Sequence, residues 1–299
     1  MHCILMATAL KVLMIGNSFS ARMPGAMPPV ARDLGLELDI CSLYIGGCSL
    51  ERHWQNAVAS DDPASTPYDL TVNYRGETDF AKTPLAGVVT DVPWEHNGKK
   101  GVGKKANLAA ALKADKWDVV TIQQASHFSW QPATYQPYGD NLVKFIRRLA
   151  PQAKIVVHET WSYTPWDSRF KAWNIDPDMM YAALHGAYAD FAAKYGFEII
   201  PTGTAVQLVR RELPVRYAEN SLGGDVVGSV KFVQGADGKW SPQGDVFHMG
   251  PDGNYLQALV WTAKLFKADV TKCGYAPKGM DPARAEFLRR IAQKAVAGL

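Results

Sequence analysis

The chain has 299 residues, 47% of them hydrophobic and 20% charged, with a net charge of +3. That composition excludes a disordered chain, and the near balance of charge leaves no broad basic stripe for a nucleic acid. No apolar run approaches the ~20 residues of a membrane span, and a chain this long buries a large core without a disulfide or metal staple.

Short β-branched runs alternate with longer helical patterns. Residues 11–15 read as the first strand, ending at Gly16, and a helix over about 27–34 leads to a second strand at 36–43. Residues 60–105 break the pattern: 68–74 alternates with period two, as a hairpin strand does, and the rest is rich in Pro, Gly and charge. This segment reads as an insertion over one end of the sheet, with Lys99, Lys100, Lys104 and Lys105 in a solvated, flexible loop. Residues 117–122 give the third strand and 154–158 the fourth; after an irregular stretch at 161–178, a helix over 178–195 leads to the fifth strand at 197–200. Helices at about 252–266 and 282–296 close the chain. Strands alternating with helices argue for βαβ units and a parallel sheet covered on both faces. With no internal repeat or linker, residues 1–299 read as a single domain with an insertion at about 60–105.

Cys3, Cys41, Cys48 and Cys273 form no CxxC pair and read as small buried residues, Cys41–Cys48 being a remote candidate bridge. The N-terminal ten residues are apolar but lack a basic region and a clean cleavage site. The compartment is therefore left open: cytoplasmic by default, periplasmic or secreted if a signal peptide has been removed.

In a parallel sheet the loops after the strands converge on one crevice, where ligands bind. Those loops hold Gly16-Asn-Ser-Phe-Ser20, Tyr44-Ile-Gly-Gly-Cys48, Gln123-Gln-Ala-Ser-His127 and His158-Glu-Thr-Trp161. Ser18 follows Gly16 at a strand-to-helix corner, where a glycine permits a sharp turn that places the hydroxyl at a helix N-terminus. Alone, such a serine is more often a helix N-cap. As a nucleophile it needs a base, and Asp245 and His248, three apart on a turn before the next helix, supply one: the carboxylate orients one imidazole nitrogen while the other faces the serine. A D-x-x-H pair alone reads as a surface loop and gains weight only together with Ser18. The N–H groups of Ser18 and Gly47 are candidate oxyanion donors, although Gly46-Gly47 also reads as a flexible turn. Trp54, His158, Trp161, Tyr163 and Trp166 read equally as a sugar-stacking rim or as packing. His53, His127, His158 and Glu159 show no metal-type spacing.

Taken in order, these blocks resemble those of the SGNH (GDSL-like) hydrolases. Gly16-Asn-Ser18-Phe-Ser resembles the first block, Gly47 the glycine of the second, and Asp245-x-x-His248 the last. The phrases Leu13-Met-Ile-Gly-Asn-Ser-Phe-Ser, Gly46-Gly-Cys-Ser-Leu-Glu-Arg-His-Trp54, Trp117-Asp-Val-Val-Thr-Ile-Gln-Gln124 and His158-Glu-Thr-Trp-Ser-Tyr163 are similar to an uncharacterised bacterial branch of that superfamily. The resemblance implies a three-layer α/β/α sandwich with a parallel, flavodoxin-like sheet, and an esterase with Ser18, Asp245 and His248 as its triad. The family's third block ends in an asparagine that donates to the oxyanion; His127 stands at that position, with Gln123 and Gln124 as alternatives, or only lines the cleft wall.

The expectation is a cofactor-independent, metal-free serine esterase for small acyl esters, O-acetyl groups of a carbohydrate above all. Its partner is then a small-molecule or glycan ester, not nucleic acid, and the oligomeric state is left open. The alternatives are a lipid or thioester hydrolase on the same triad and a non-catalytic glycan-binding protein.

Overall fold

The structure, a computed structural model, describes residues 8–96, 98–213 and 220–298; Cys3 and most of the apolar N-terminal segment lie outside them. Strand β1 (Leu10–Gly16) leads through helix α1 (Met23–Asp33) to β2 (Leu38–Tyr44) and α2 (Leu50–Ala59). Next come β3 (Tyr68–Tyr74), β4 (Val89–His96), β5 (Lys99–Ala106), α3 (Leu108–Lys113), β6 (Val119–Ile122), α4 (Tyr138–Leu149) and β7 (Lys154–His158). The chain continues through α5 (Arg169–Trp173), α6 (Pro177–Ala193), β8 (Glu198–Ile200) and α7 (Thr202–Glu212). It ends with β9 (Val227–Gln234), β10 (Trp240–Met249), α8 (Pro251–Phe266) and α9 (Pro282–Ala297).

Eight strands form one sheet in the order β4-β5-β3-β2-β1-β6-β7-β8, and β9 and β10 pair separately. β1 runs parallel to both β2 and β6, whereas β3, β5 and β4 add antiparallel strands at the β2 side. The sheet is thus mostly parallel, and the expected insertion supplies its antiparallel part. Two expectations change here. Residues 68–74 do form a strand, but its partners are β2 and β5 rather than a local hairpin neighbour. The lysine-rich segment is strand β5, not a loop: Lys100 pairs with Glu95 (3.1 Å), Lys104 with Asp91 (2.6 Å) and Lys105 with Asp69 (2.7 Å). Cross-strand pairs of this kind let a charged strand hold its register.

By packing, the chain resolves into two compact units. The first is Met1–Ala125 with Ala133–Val156. Its core is built on Val12, Leu13, Met14 and Ile15 of β1, buried as one continuous run, as a strand covered on both faces requires. Cys41 and Cys48 are both buried here as free thiols, so the candidate bridge is not formed. The second unit is Ser126–Pro132 with Val157–Leu299. At its centre is α8, buried from Tyr255 to Ala263 on nearly every side, with α7 and α9 packed against it.

Candidate active site

In the first unit, the chain order reverses at β1, which has β2 on one side and β6 on the other. A crevice at such a switch point is where ligands bind in open α/β sheets. Gly16 ends β1 at a close approach: a Cβ there would lie 2.3 Å from Ser20 Oγ, so a larger residue requires that serine to move. Asn17, 1% exposed, is the hub of the corner. Its Oδ1 accepts from Phe19 N (3.1 Å) and Gln123 Nε2 (2.6 Å), and its Nδ2 donates to the carbonyls of Cys48 (3.0 Å) and Gln124 (3.4 Å). One side chain thereby ties together the loops that follow β1, β2 and β6.

Ser18 is half-buried in the turn beside this hub. It does not stand at the N-terminus of α1 as the sequence reading places it. Turns closed by Ser20 N on Asn17 O (3.1 Å) and Met23 N on Ser20 O (3.0 Å) come between, and the helix begins only at Met23. The position of Ser18 is therefore set by these turns rather than by the start of a helix. Gly47 lies exposed in a turn closed by Cys48 N on Ile45 O (3.2 Å), at φ +60°, a conformation that favours glycine.

Gln124 is committed elsewhere: its Oε1 accepts from Leu50 N (2.9 Å) and Ala125 N (2.8 Å), and its Nε2 faces Thr134. Gln123 likewise directs its amide at Asn17. Both glutamines hold loops, which weakens them as alternative oxyanion donors. Trp54, on α2, is partly exposed.

In the second unit, Asp245 and His248 lie not on a turn but within β10, at a bulge. Pairing with β9 is regular from Trp240 to Asp245 and resumes only at Met249, so Val246, Phe247 and His248 are looped out of register. Asp245 Oδ1 accepts from the backbone N–H groups of Phe247 (3.0 Å) and His248 (2.8 Å), while Oδ2 takes His248 Nδ1 at 2.5 Å. Burial alone would raise the Asp245 carboxyl, but these bonds outweigh it and hold the group below its ordinary range. The Nδ1 bond to the carboxylate fixes the orientation of the ring.

The bulge is fixed from outside. Trp161 Nε1 donates to Phe247 O (2.9 Å), and Thr164 donates to Val246 O through both N (3.2 Å) and Oγ1 (2.9 Å). Arg169, clamped by Asp167 at 2.6 Å, lies over the rings of Tyr163 (4.3 Å) and Phe247 (4.5 Å).

This geometry corrects three expectations about substrate contact. His158 is fully buried, with Nε2 facing Thr202 Oγ1 (3.1 Å) and its ring edge-on to Trp261; burial pushes its pKa down to about 3. Trp161 and Tyr163 are also buried, the latter donating to Ser126 Oγ (2.7 Å). All three support the site from behind and have no open face for a sugar. His127, by contrast, is half-buried, and neither ring nitrogen is hydrogen-bonded to a described residue. Desolvation, with help from the Arg169 charge, lowers its pKa and favours the neutral imidazole, which carries one N–H.

Among the described residues no three His, Cys, Asp or Glu side chains cluster as metal ligands, and no helix is long and apolar enough to cross a membrane.

Residues 90–218 match the model of a domain of unknown function, DUF4886. No curated protein matches the chain. A DUF4886 family protein from Bacteroides uniformis ATCC 8492 is similar over 97% of this chain and 95% of its own, at 27% identity and a TM-score of 0.74. The two proteins share one fold. A protein from Slackia heliotrinireducens assigned as an SGNH hydrolase matches 85% of this chain and 97% of its own, at 20% identity and a TM-score of 0.49. One from Parabacteroides merdae ATCC 43184 assigned as a GDSL-like lipase matches 85% and 96%, at 12% identity and a TM-score of 0.46.

Asn17, Thr164, Arg169 and Phe247 are absent from the sequence-level candidates. Asn17 had a signal, an amide between a strand-ending glycine and the serine. Arg169 and Thr164 had none, because they lie in a stretch without periodicity.

Proposed function

We propose that the protein is a serine esterase with Ser18 as nucleophile, His248 as base and Asp245 as the carboxylate that orients it. The observation that carries this reading is the Asp245–His248 pair, bonded at 2.5 Å on a bulge that other side chains hold in place. A structural histidine on a hairpin needs no such fixing of tautomer and ring. The Asn17-anchored turn bearing Ser18 adds support from the first unit.

In this mechanism Ser18 Oγ attacks the ester carbonyl as its proton passes to His248 Nε2. The resulting oxyanion is held by the N–H groups of Ser18 and Gly47 and by the His127 imidazole. Collapse expels the alcohol, which takes the proton back from His248, and leaves an acyl-Ser18 ester. Water then attacks this ester with His248 again as base, releasing the acid and restoring Ser18.

The substrate in this reading is a small acyl ester, an O-acetyl group on a carbohydrate. Trp161 and Tyr163 fill the space behind the bulge, which favours a short acyl group over a lipid chain. The test is hydrolysis of p-nitrophenyl acetate and longer-chain esters by wild type and Ser18→Ala. Turnover that prefers acetate and falls at least ~10³-fold in the variant is expected. Equal rates in the two proteins would sink the esterase reading and leave a glycan-binding protein in its place.

A further inference from the structure

A cavity of about 950 Å³ lies between α6 and α7 in the second unit, among residues the esterase mechanism does not use. We propose that it binds a neutral saccharide, through a rim of mixed hydrogen-bonding groups and one aromatic face.

The rim is built on a buried carboxylate. Glu159, 1% exposed, accepts from His185 Nδ1 (2.7 Å), Thr204 N (2.8 Å) and Thr204 Oγ1 (3.0 Å). That bond raises the His185 pKa and leaves Nε2 for a ligand. Nε2 donates when the ring is protonated and accepts when it is neutral, and a hydroxyl group satisfies both states.

Across the cavity, Gln207 Nε2 donates to Asp178 Oδ1 (2.8 Å), which fixes the orientation of the amide, since the opposite one would set oxygen against carboxylate. Gln207 Oε1 is then a buried acceptor with no partner among the described residues, in a side chain 6% exposed. An unmet acceptor of this kind costs free energy, but it is closed off from solvent, so Gln207 serves the cavity by holding Asp178.

The charges choose the ligand class. Asp176 and Asp178 stand against an anion. Arg211, exposed and without a hydrogen bond to a described residue, stands with His185 against a cation. Arg210 adds no net charge, because its guanidinium pairs with Asp225 at 2.9 Å. A polyol donates to the aspartates and accepts from Arg211, so it meets both signs of charge at once. The Tyr181 ring, stacked on His185 at 5.6 Å, offers an apolar surface for the C–H face of a sugar. Pockets of roughly 300–1,000 Å³ with a few placed polar groups are the usual size for small-molecule sites.

Binding here needs neither Ser18 nor His248, so it can be tested apart from turnover. Full-length Ser18→Ala protein would be titrated calorimetrically with cellobiose, xylobiose, maltose and N,N′-diacetylchitobiose, with digalacturonate and spermidine as charged controls. At least one neutral disaccharide is expected to saturate with a Kd of ~10 mM or tighter. Gln207→Met and Arg211→Ala, each added to this protein, should weaken that binding about 5-fold or more. The same two substitutions in the wild-type background should leave p-nitrophenyl acetate hydrolysis unchanged. The proposal is overturned if no neutral disaccharide saturates, if a charged control binds more tightly, or if Arg211→Ala leaves the affinity unaltered. Saccharide binding without any esterase turnover in wild type would refute the catalytic reading and leave this one standing.

Discussion

Asn17 shows how a single amide can position the proposed nucleophile, Ser18, from the neighbouring residue. Its two acceptor bonds and two donor bonds join three loops, and the residue is buried, so no water can replace a lost partner. Asn17→Asp keeps the shape but turns the donor into a second acceptor facing the Cys48 and Gln124 carbonyls. Each buried group left unpaired costs roughly 1–3 kcal/mol. The expected result is a melting temperature lower by several degrees and a kcat at least ~10-fold lower, with KM little changed, because displacement of Ser18 affects the transition state more than binding. A variant that melts lower yet keeps the wild-type kcat would make Asn17 a purely structural residue. The proposed triad, Ser18, Asp245 and His248, was read from residue type and spacing, because a nucleophile, a base and an orienting acid are a short list. Asn17 had a signal in its place between Gly16 and Ser18, but its role as a hub was not legible, because its partners lie up to 107 positions away.

At the scale of elements, the parallel strands were legible because continuous apolar runs between helical patterns have few other readings. Where the sequence reading fell short, a tertiary contact replaced a local rule. Helix α1 begins at Met23, ahead of the expected start near 27, and carries Pro28 and Pro29 inside it. Pro28 cannot donate to Pro24 O, and Asn73 Nδ2, from β3, takes that carbonyl at 3.2 Å. The β9–β10 hairpin was not anticipated, although Asp237-Gly238 between alternating residues is a turn signal. That omission is why Asp245 and His248 read as a turn rather than as a bulge.

The bulge runs directly into α8, where Gly253 permits a close approach: a Cβ would lie 2.3 Å from both Val226 O and Met249 Sδ. Gly253→Ala must push the helix start away from the strand that carries His248. Overpacking of this sort costs about 1–3 kcal/mol. Thermal melts should fall by several degrees, and kcat should drop while ester KM stays near its wild-type value. Unchanged melting and kcat would mean that the junction yields freely.

For the whole molecule, stability in mild acid should report two buried histidines, one in each compact unit. His53 and His158 are both fully buried, and burial pushes each down to a pKa of about 3. His53 Nδ1 is bonded to Tyr68 OH (2.9 Å), and its Nε2 has no partner among the described residues. Unfolded, each ring takes a proton near its ordinary pKa of ~6.5. As pH falls below that value the unfolded chain binds protons that the folded chain refuses, so stability is full above about 6.5 and is lost progressively toward 3. The limiting slope is ~1.4 kcal/mol per pH unit for each histidine. Carboxylates held below their usual range, Asp245 among them, act only in stronger acid, whereas burial raises Asp39 and lowers His127, so each buried histidine is read from the change its own substitution makes. Urea unfolding between about pH 6.5 and 5 should give a wild-type slope that His53→Gln and His158→Gln each reduce by about one proton's worth. If either substitution leaves the slope intact, that ring is already protonated in the folded protein. The site around it, the Cys48–Tyr68 cluster or the wall behind the Asp245–His248 bulge, then holds a charge that must be paired.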